Sequence, residues 1–384
     1  MHPAKLLLPV VLAGGAHAQS LLSDSNCSKL GALLSQATGK TLQATVVAVK
    51  PEINFAFRFY AGYSAEIPLR QFGGPEASVA VLTRVTPADG SRPPACFSQS
   101  ESFDPRRVAA FGNDLTVDGG FFLGTGRYRV DLAVADPSGR LHRKGMTFTA
   151  WQKGAERHMH LALRPGEIEP VEQMSWTPHA QAAAGARRRL TVLFHAASLY
   201  GPRTSLRAYD LALLLSSLST VLSTCNFDRV RLIAFNIDQQ RELFRADPLD
   251  VDGFHKLVGT LQSLRLWTVQ ASSLEPQTPV LDSLLRAELA TERSADAVLI
   301  LGPRVRGEFR LIGLPCRSGN SGPRLLYFQQ RVDAAYDIWK GVPVRPQELP
   351  DAIERVVRAC SGEVYRIHNP AELAAAIEKF NAKE

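Results

Sequence analysis

No two cysteines in this chain are spaced C-x-x-C, which excludes the dithiol redox motif and the zinc knuckle. There is no G-x-S-x-G elbow, no G-x-x-x-x-G-K-[ST] loop, and no G-x-G-x-x-G between a strand and a helix. Gly124-Thr125-Gly126 precedes a strand instead, so nucleotide binding has no support. No later apolar run approaches the ~20 residues of a membrane helix. The most apolar window, Leu211 to Leu222, is interrupted by Ser216, Ser217 and Ser219 and reads as an amphipathic helix, so no membrane span is expected. Charge of one sign is also scarce: 44 Lys and Arg against 37 Asp and Glu give a formal net charge of +7. The densest basic run, Arg187-Arg188-Arg189, carries no interleaved aromatics, which argues against nucleic acid as a partner.

What is present begins with an export signal. Lys5 precedes the apolar run Leu6 to Leu12, and Ala16-His17-Ala18 is an A-x-A cleavage site. This predicts a signal peptide over residues 1–18 and a mature chain from Gln19, periplasmic or extracellular. No cysteine follows the run closely enough to take a lipid anchor. With 384 residues, 45% of them hydrophobic, the chain is long enough for two domains with separate cores. Export permits disulfides among Cys27, Cys96, Cys225, Cys316 and Cys360, and an odd number leaves one over. Pairing within domains would join Cys27 to Cys96 and Cys316 to Cys360.

Residues 19–164 read as an all-β domain. Short β-rich runs such as Thr45 to Val49 and Val79 to Leu82 are bounded by Gly, Pro and Asp. In Gly124 to Val134, Tyr128, Val130, Leu132 and Val134 share one face while Arg127, Arg129 and Asp131 share the other, so one side packs and one meets water. The turn Asp136-Pro137-Ser138-Gly139 and the run Met146 to Trp151 follow. Several such strands predict an immunoglobulin-like β-sandwich. Residues 165–188, with Pro165, Pro170, Pro178 and the stretch Ala180 to Ala186, read as a linker.

Residues 189–384 alternate strand and helix. Strands are predicted at Leu190 to Phe194, Val230 to Phe235, near Glu242 to Phe244, Ala297 to Leu301, Leu325 to Phe328 and Val364 to Ile367. Helices are predicted over about 204–224, around Phe254 to Leu264, after Pro279 through Leu289, and at the end with Leu373, Ile377 and Phe380. The fold class expected is therefore α/β plus all-β, with a doubly wound, mainly parallel sheet following the sandwich.

From about Leu190 to Phe380 the order of Asp228 to Asn236, Thr278-Pro279-Val280-Leu281, Ala297 to Leu301 and Ser361 to Tyr365 resembles a von Willebrand factor A-like domain, in the divergent bacterial form found in exported proteins. The resemblance implies a metal-ion-dependent adhesion site, in which Asp-x-Ser-x-Ser follows the first strand, a second loop gives a threonine and a later strand ends in aspartate. Here His195-Ala196-Ala197-Ser198-Leu199 occupies the first motif, Thr278 matches the threonine, and Gly302 stands near the later aspartate. A neutral imidazole and one hydroxyl do not replace two carboxylates for Mg²⁺. The expectation is a degenerate site with no metal and no cofactor, and a binding rim of His195, Ser198, Tyr200, Gln277, Thr278, Gly302 and Arg304 that contacts a protein partner without catalysis.

Two further readings stay open. Ser198 beside His195 would serve a hydrolase using the same crevice, and the odd cysteine would join two chains in a structural envelope component. His158 and His160, on one side of an expected strand, lack a third ligand for zinc.

Overall fold

The computed structural model describes residues 19–35, 41–74, 76–109, 114–171, 176, 188–199, 206, 208–225, 227–266, 280–289, 295–305, 322–331 and 351–382. The expected signal peptide, Tyr200, Gln277, Thr278 and Cys316 lie outside them. The chain divides into two units. One takes residues up to 52, 58–151 and 163–172, and the other takes 53–57, 152–162 and 173 onward.

The first unit runs β1 (Ser20–Leu21), α1 (Asp24–Ser35), β2 (Thr45–Ile53), β3 (Phe59–Ile67), β4 (Ala77–Pro87), β5 (Ala95–Phe103), α2 (Pro105–Ala109), β6 (Leu115–Leu123), β7 (Gly126–Ala135), β8 (Leu141–Ala150) and β9 (Ile168–Pro170). These make a five-stranded sheet, β1-β5-β4-β7-β8, and a four-stranded sheet, β2-β3-β6-β9. The alternation in β7 is the one its sequence demands: Tyr128, Val130 and Leu132 are buried while Arg127 and Arg129 face water. The hairpin into β8 turns on Asp136, whose carboxylate accepts from Ser138 Oγ and from the backbone N–H and Nε of Arg140. Gly139 takes φ +81° there, a conformation glycine adopts without strain. Helix α1 was not anticipated. Its Leu30 packs with Leu22, Leu34 and Leu82, and a Cys27–Cys96 disulfide ties it to β5.

The second unit contains β10 (Arg189–His195), α3 (Ala208–Thr224), β11 (Arg229–Asn236), β12 (Arg241–Ala246), α4 (Val251–Gln262), α5 (Val280–Leu289), β13 (Ala297–Pro303), β14 (Arg324–Gln330), α6 (Ala352–Ala359), β15 (Glu363–Ile367) and α7 (Pro370–Ala382). The strand order is β12-β11-β10-β13-β14-β15. Every residue of β13 is buried, because helices cover both faces of the strand. On one face Leu193, Ile233, Val298, Ile300 and Leu325 pack against α5 and α6. On the other, Phe328 meets Phe380 of α7 and Gln330 Nε2 donates to Ser217 Oγ of α3 at 2.7 Å.

The expected fold class is corrected by these pairings. An α/β chain with a doubly wound, mainly parallel sheet behind an immunoglobulin-like sandwich does not describe a molecule with three sheets, of which the first unit's two are antiparallel in every registered pair and the third is mixed. Seven strand pairs with a described register run antiparallel and four run parallel, so antiparallel pairing dominates. In the third sheet β12 turns back along β11 through the four residues 237–240, too short a connection for a parallel crossover.

Other expectations shift locally. β9 falls within the stretch read as a linker and pairs with β6. Residues 154–158 form a 3₁₀ turn rather than a strand, and His158 and His160 are both exposed. Within the second unit, Thr220 Oγ1 of α3 donates to Phe55 O at 2.7 Å, so a segment from early in the chain is part of this unit. Cys360 is disulfide-bonded and Cys225 is a buried thiol. Among the described residues no helix is long and apolar enough to cross a membrane.

Candidate functional site

Four parallel strands of the second unit end side by side at His195, Pro303, Gln330 and Ile367, and such strand ends are where open sheets bind ligands. Register carries Phe194 beside Leu301, Gly302 beside Gln329, and Gln329 beside Arg366. Gly302 closes this row. It holds φ +157°, and a Cβ there would stand 2.6 Å from His195 O and 2.7 Å from His195 Cβ. No carboxylate fits at 302 while β10 and β13 keep this separation.

His195 lies beneath the rim, 2% exposed, with its ring tilted against Phe235 at 5.3 Å between centroids. Its Nδ1 is 3.4 Å from Pro303 O. A carbonyl only accepts, which assigns the proton to Nδ1 and leaves the Nε2 lone pair bare. Nε2 is buried and makes no hydrogen bond. Burial pushes the imidazole pKa down to about 4 against the smaller opposing effect of the Pro303 contact, so the ring is neutral at pH 7.

Pro303 O also lies 3.1 Å from Tyr327 Oη, which is 3.1 Å from Asp351 Oδ2. Gln329 Nε2 donates to the same carboxylate oxygen. Asp351 Oδ1 accepts from the backbone N–H groups of Ile353 at 2.8 Å and Glu354 at 3.3 Å, capping α6. Burial raises the Asp351 pKa despite these donors, and burial together with the Asp351 charge holds the Tyr327 hydroxyl well above its ordinary value.

The loop after β10 is tied down on both sides. Asn236 Nδ2 donates to Ala196 O at 2.7 Å, and Asp210 Oδ1 accepts from Leu199 N at 3.0 Å. Ser198 Oγ is shielded from solvent and makes no hydrogen bond, so Ser198 and His195 are not coupled to each other.

Outside this buried network the strand ends carry cations. Glu354 lies 2.9 Å from Arg358 and from Arg366, and 4.0 Å from Arg331. Burial works against its ionisation, but the Arg358 and Arg366 hydrogen bonds hold its pKa below the usual carboxylate value. Arg331 Nε donates to Gln329 Oε1 at 2.6 Å. Burial, then the neighbouring charges of Arg366 and Arg304, lower the Arg331 pKa from its ordinary value, which marks three guanidinium groups gathered at the ends of β13, β14 and β15.

Of the rim residues read from the sequence, Gly302 stands against His195, whose ring meets the Pro303 carbonyl just before Arg304, and no hydrogen bond joins Ser198 to them; Tyr200, Gln277 and Thr278 are outside the described residues. His195 is under the surface and Gly302 forms the seam between two strands. Sequence reasoning missed Tyr327, Gln329, Asp351, Arg331 and Arg366. The dipeptide Gln330-Arg331, a polar break after the run Leu325 to Phe328, was the available signal. The adhesion-site metal does not fit this donor set: an imidazole committed to Pro303 O and a glycine stand where carboxylates would be needed. Among the described residues no group of three or more His, Cys, Asp or Glu side chains could hold a metal ion.

No protein-family model matches the chain, and no curated protein matches it. Among solved structures, the X-ray structure of a structural genomics target, SoR45, is 12% identical over 33% of this chain and 97% of its own, with a TM-score of 0.19. The solution structure of a lipoprotein from Bacteroides thetaiotaomicron is 9% identical over 33% of this chain and 95% of its own, with a TM-score of 0.16. Likenesses at those scores carry neither fold nor function.

Proposed function

We propose that this chain is an exported, non-enzymatic binding protein that holds an acidic surface of a protein partner against the cationic strand ends of its second unit. The observation that carries the reading is the placement of Arg304, Arg331 and Arg366 at the carboxyl ends of β13, β14 and β15, which pair side by side in register. Guanidinium forks match carboxylates in geometry as well as charge, and the Arg366 side chain is 49% exposed. The groups beneath serve the scaffold: Asp351 caps α6, Tyr327 and His195 meet at Pro303 O, and Asn236 anchors the first loop. The Cys27–Cys96 disulfide supports an oxidising compartment, in keeping with the signal read over residues 1–18.

The rival reading is a hydrolase using Ser198, and a fluorophosphonate serine probe separates the two. The binding reading expects the purified chain to remain unlabelled. Labelling that disappears in Ser198→Ala would establish a reactive serine at the rim and overturn the proposal.

A further inference from the structure

Cleavage after Ala16-His17-Ala18, as read from the sequence, makes Gln19 the first residue of the mature chain. The first unit treats the two ends of its carboxamide differently. Oε1 accepts from Gly120 N at 3.0 Å, whereas Nε2 is buried and makes no hydrogen bond. A shielded amide nitrogen without an acceptor is a cost, so this side chain is held by one atom and burdened by the other.

The residue stands where the edges of two sheets meet within that unit. Ser20 and Leu21 form β1 and pair with Ser98 and Phe97 of β5. Leu22 N donates to Cys96 O at 2.8 Å, and Cys96 is bonded to Cys27 of α1. The main chain just after Gln19 thus belongs to the five-stranded sheet, while its side chain reaches β6 of the four-stranded one. Gln19 itself is only partly exposed.

A glutamine at an amino terminus carries an amine and a carboxamide carbon that close readily into a lactam ring. We propose that the mature chain is modified in this way, with pyroglutamate at position 19. The neutral α-amine nitrogen attacks Cδ, the N–Cδ bond forms as the Cδ–Nε2 bond breaks, and Nε2 leaves as ammonia with the proton that the amine gives up. Nothing is oxidised or reduced, and no co-reactant is consumed. Gly120 N–H, donating to Oε1, is placed to stabilise negative charge on that oxygen as the carbon is attacked. The departing nitrogen breaks no hydrogen bond. Closure removes the buried donor together with the charge of an α-ammonium on a partly shielded residue. Hydrolysis of the same amide would instead leave a carboxylate there, the less favourable product. With no free α-amine for an aminopeptidase, the two-residue strand β1 is guarded at its exposed end.

The assignment rests on the cleavage reading, and mass spectrometry of the amino-terminal peptide separates the two. The full mature chain is recovered from the envelope or medium of cells that export it. The peptide should begin at residue 19, be one ammonia lighter than its sequence, resist Edman degradation, and be opened to Ser20 by pyroglutamyl aminopeptidase. Gln19→Asn keeps an amide but would have to close a ring one atom smaller and too strained to form, so its terminus should be free and yield to Edman sequencing. A wild-type peptide that begins at Gln19 with its full mass and a free amine, or with glutamate in that place, would overturn the modification and leave the cleavage reading standing. A peptide that begins at another residue would overturn both. An asparagine variant as fully blocked as the wild type would give the block another origin and overturn the proposal as well.

Discussion

Asp351→Ala should destabilise the second unit by about 3 kcal/mol, the largest loss expected from a single substitution at the strand ends. The carboxylate is 3% exposed and meets four donors: the backbone N–H groups of Ile353 and Glu354, Gln329 Nε2 and Tyr327 Oη. Losing the cap of α6 costs roughly 1 kcal/mol. The buried Gln329 amide then keeps only its long 3.5 Å contact with Glu354 Oε2, which costs a further 1–3 kcal/mol or so. Tyr327 loses less, because Pro303 O remains within reach of its hydroxyl. Asp351→Asn keeps an acceptor for the helix N–H groups and removes a charge that burial already disfavours, so it should cost about 1 kcal/mol. Urea unfolding of the transition that melts the six-stranded sheet measures both. A loss below about 1 kcal/mol for alanine would mean the network is not holding these strand ends.

His195 should make the same unit acid-labile. In the unfolded chain an imidazole titrates near 6.5, whereas burial holds the native ring down at about 4. Between those values the unfolded state takes a proton that the native state refuses, so falling pH favours unfolding. The contribution is fully present above pH ~6.5, is lost progressively as pH falls, and levels off below about 4. At 1.36 kcal/mol per pH unit the interval amounts to about 3 kcal/mol. His195→Asn keeps an amide donor near Pro303 O and does not titrate. Subtracting its stability curve from that of the wild type should leave this step between pH 6.5 and 4, clear of the carboxylates Asp247, Glu354 and Glu372, whose pKa values are lowered and whose losses fall at lower pH. Parallel curves would show that the ring is hydrated or already protonated in the native state.

How much was legible follows from what each signal reports. The alternation in β7 and the stripe of Phe254, Leu257 and Leu261 in α4 depend on local period alone, and both elements stand where they were read. Strand direction does not depend on period. A buried apolar run reads the same in either direction, so the balance of the three sheets was out of reach, whereas the short connection into β12 was a readable sign of its antiparallel return. Helix α1 has little apolar periodicity and is held by a disulfide between residues 69 apart, a contact no window contains. Helix α6 is readable in the sequence: Asp351 followed by Glu354, then Ile353, Val356 and Val357 on one face, is a cap and a stripe.

At the candidate site the strand ends were found but their depth was not. His195 ends its strand as expected, yet Gly302 lets β13 approach it and Phe235 covers the ring, both long-range consequences of sheet order. Arg331 and Arg366 follow or end different strands, 35 positions apart in the chain, and only the pairing of β14 with β15 makes them neighbours.

The central claim is that these arginines hold an acidic protein surface, and quantitative retention from envelope extract tests it most directly. Immobilised wild-type chain is compared with an Arg331→Gln, Arg366→Gln double variant, whose amides keep a donor toward Gln329 and Glu354 and whose fold is checked by circular dichroism. The account predicts retained proteins that elute as salt rises and fall at least tenfold in amount on the variant. The same proteins retained equally by both, with no dependence on salt, would contradict it.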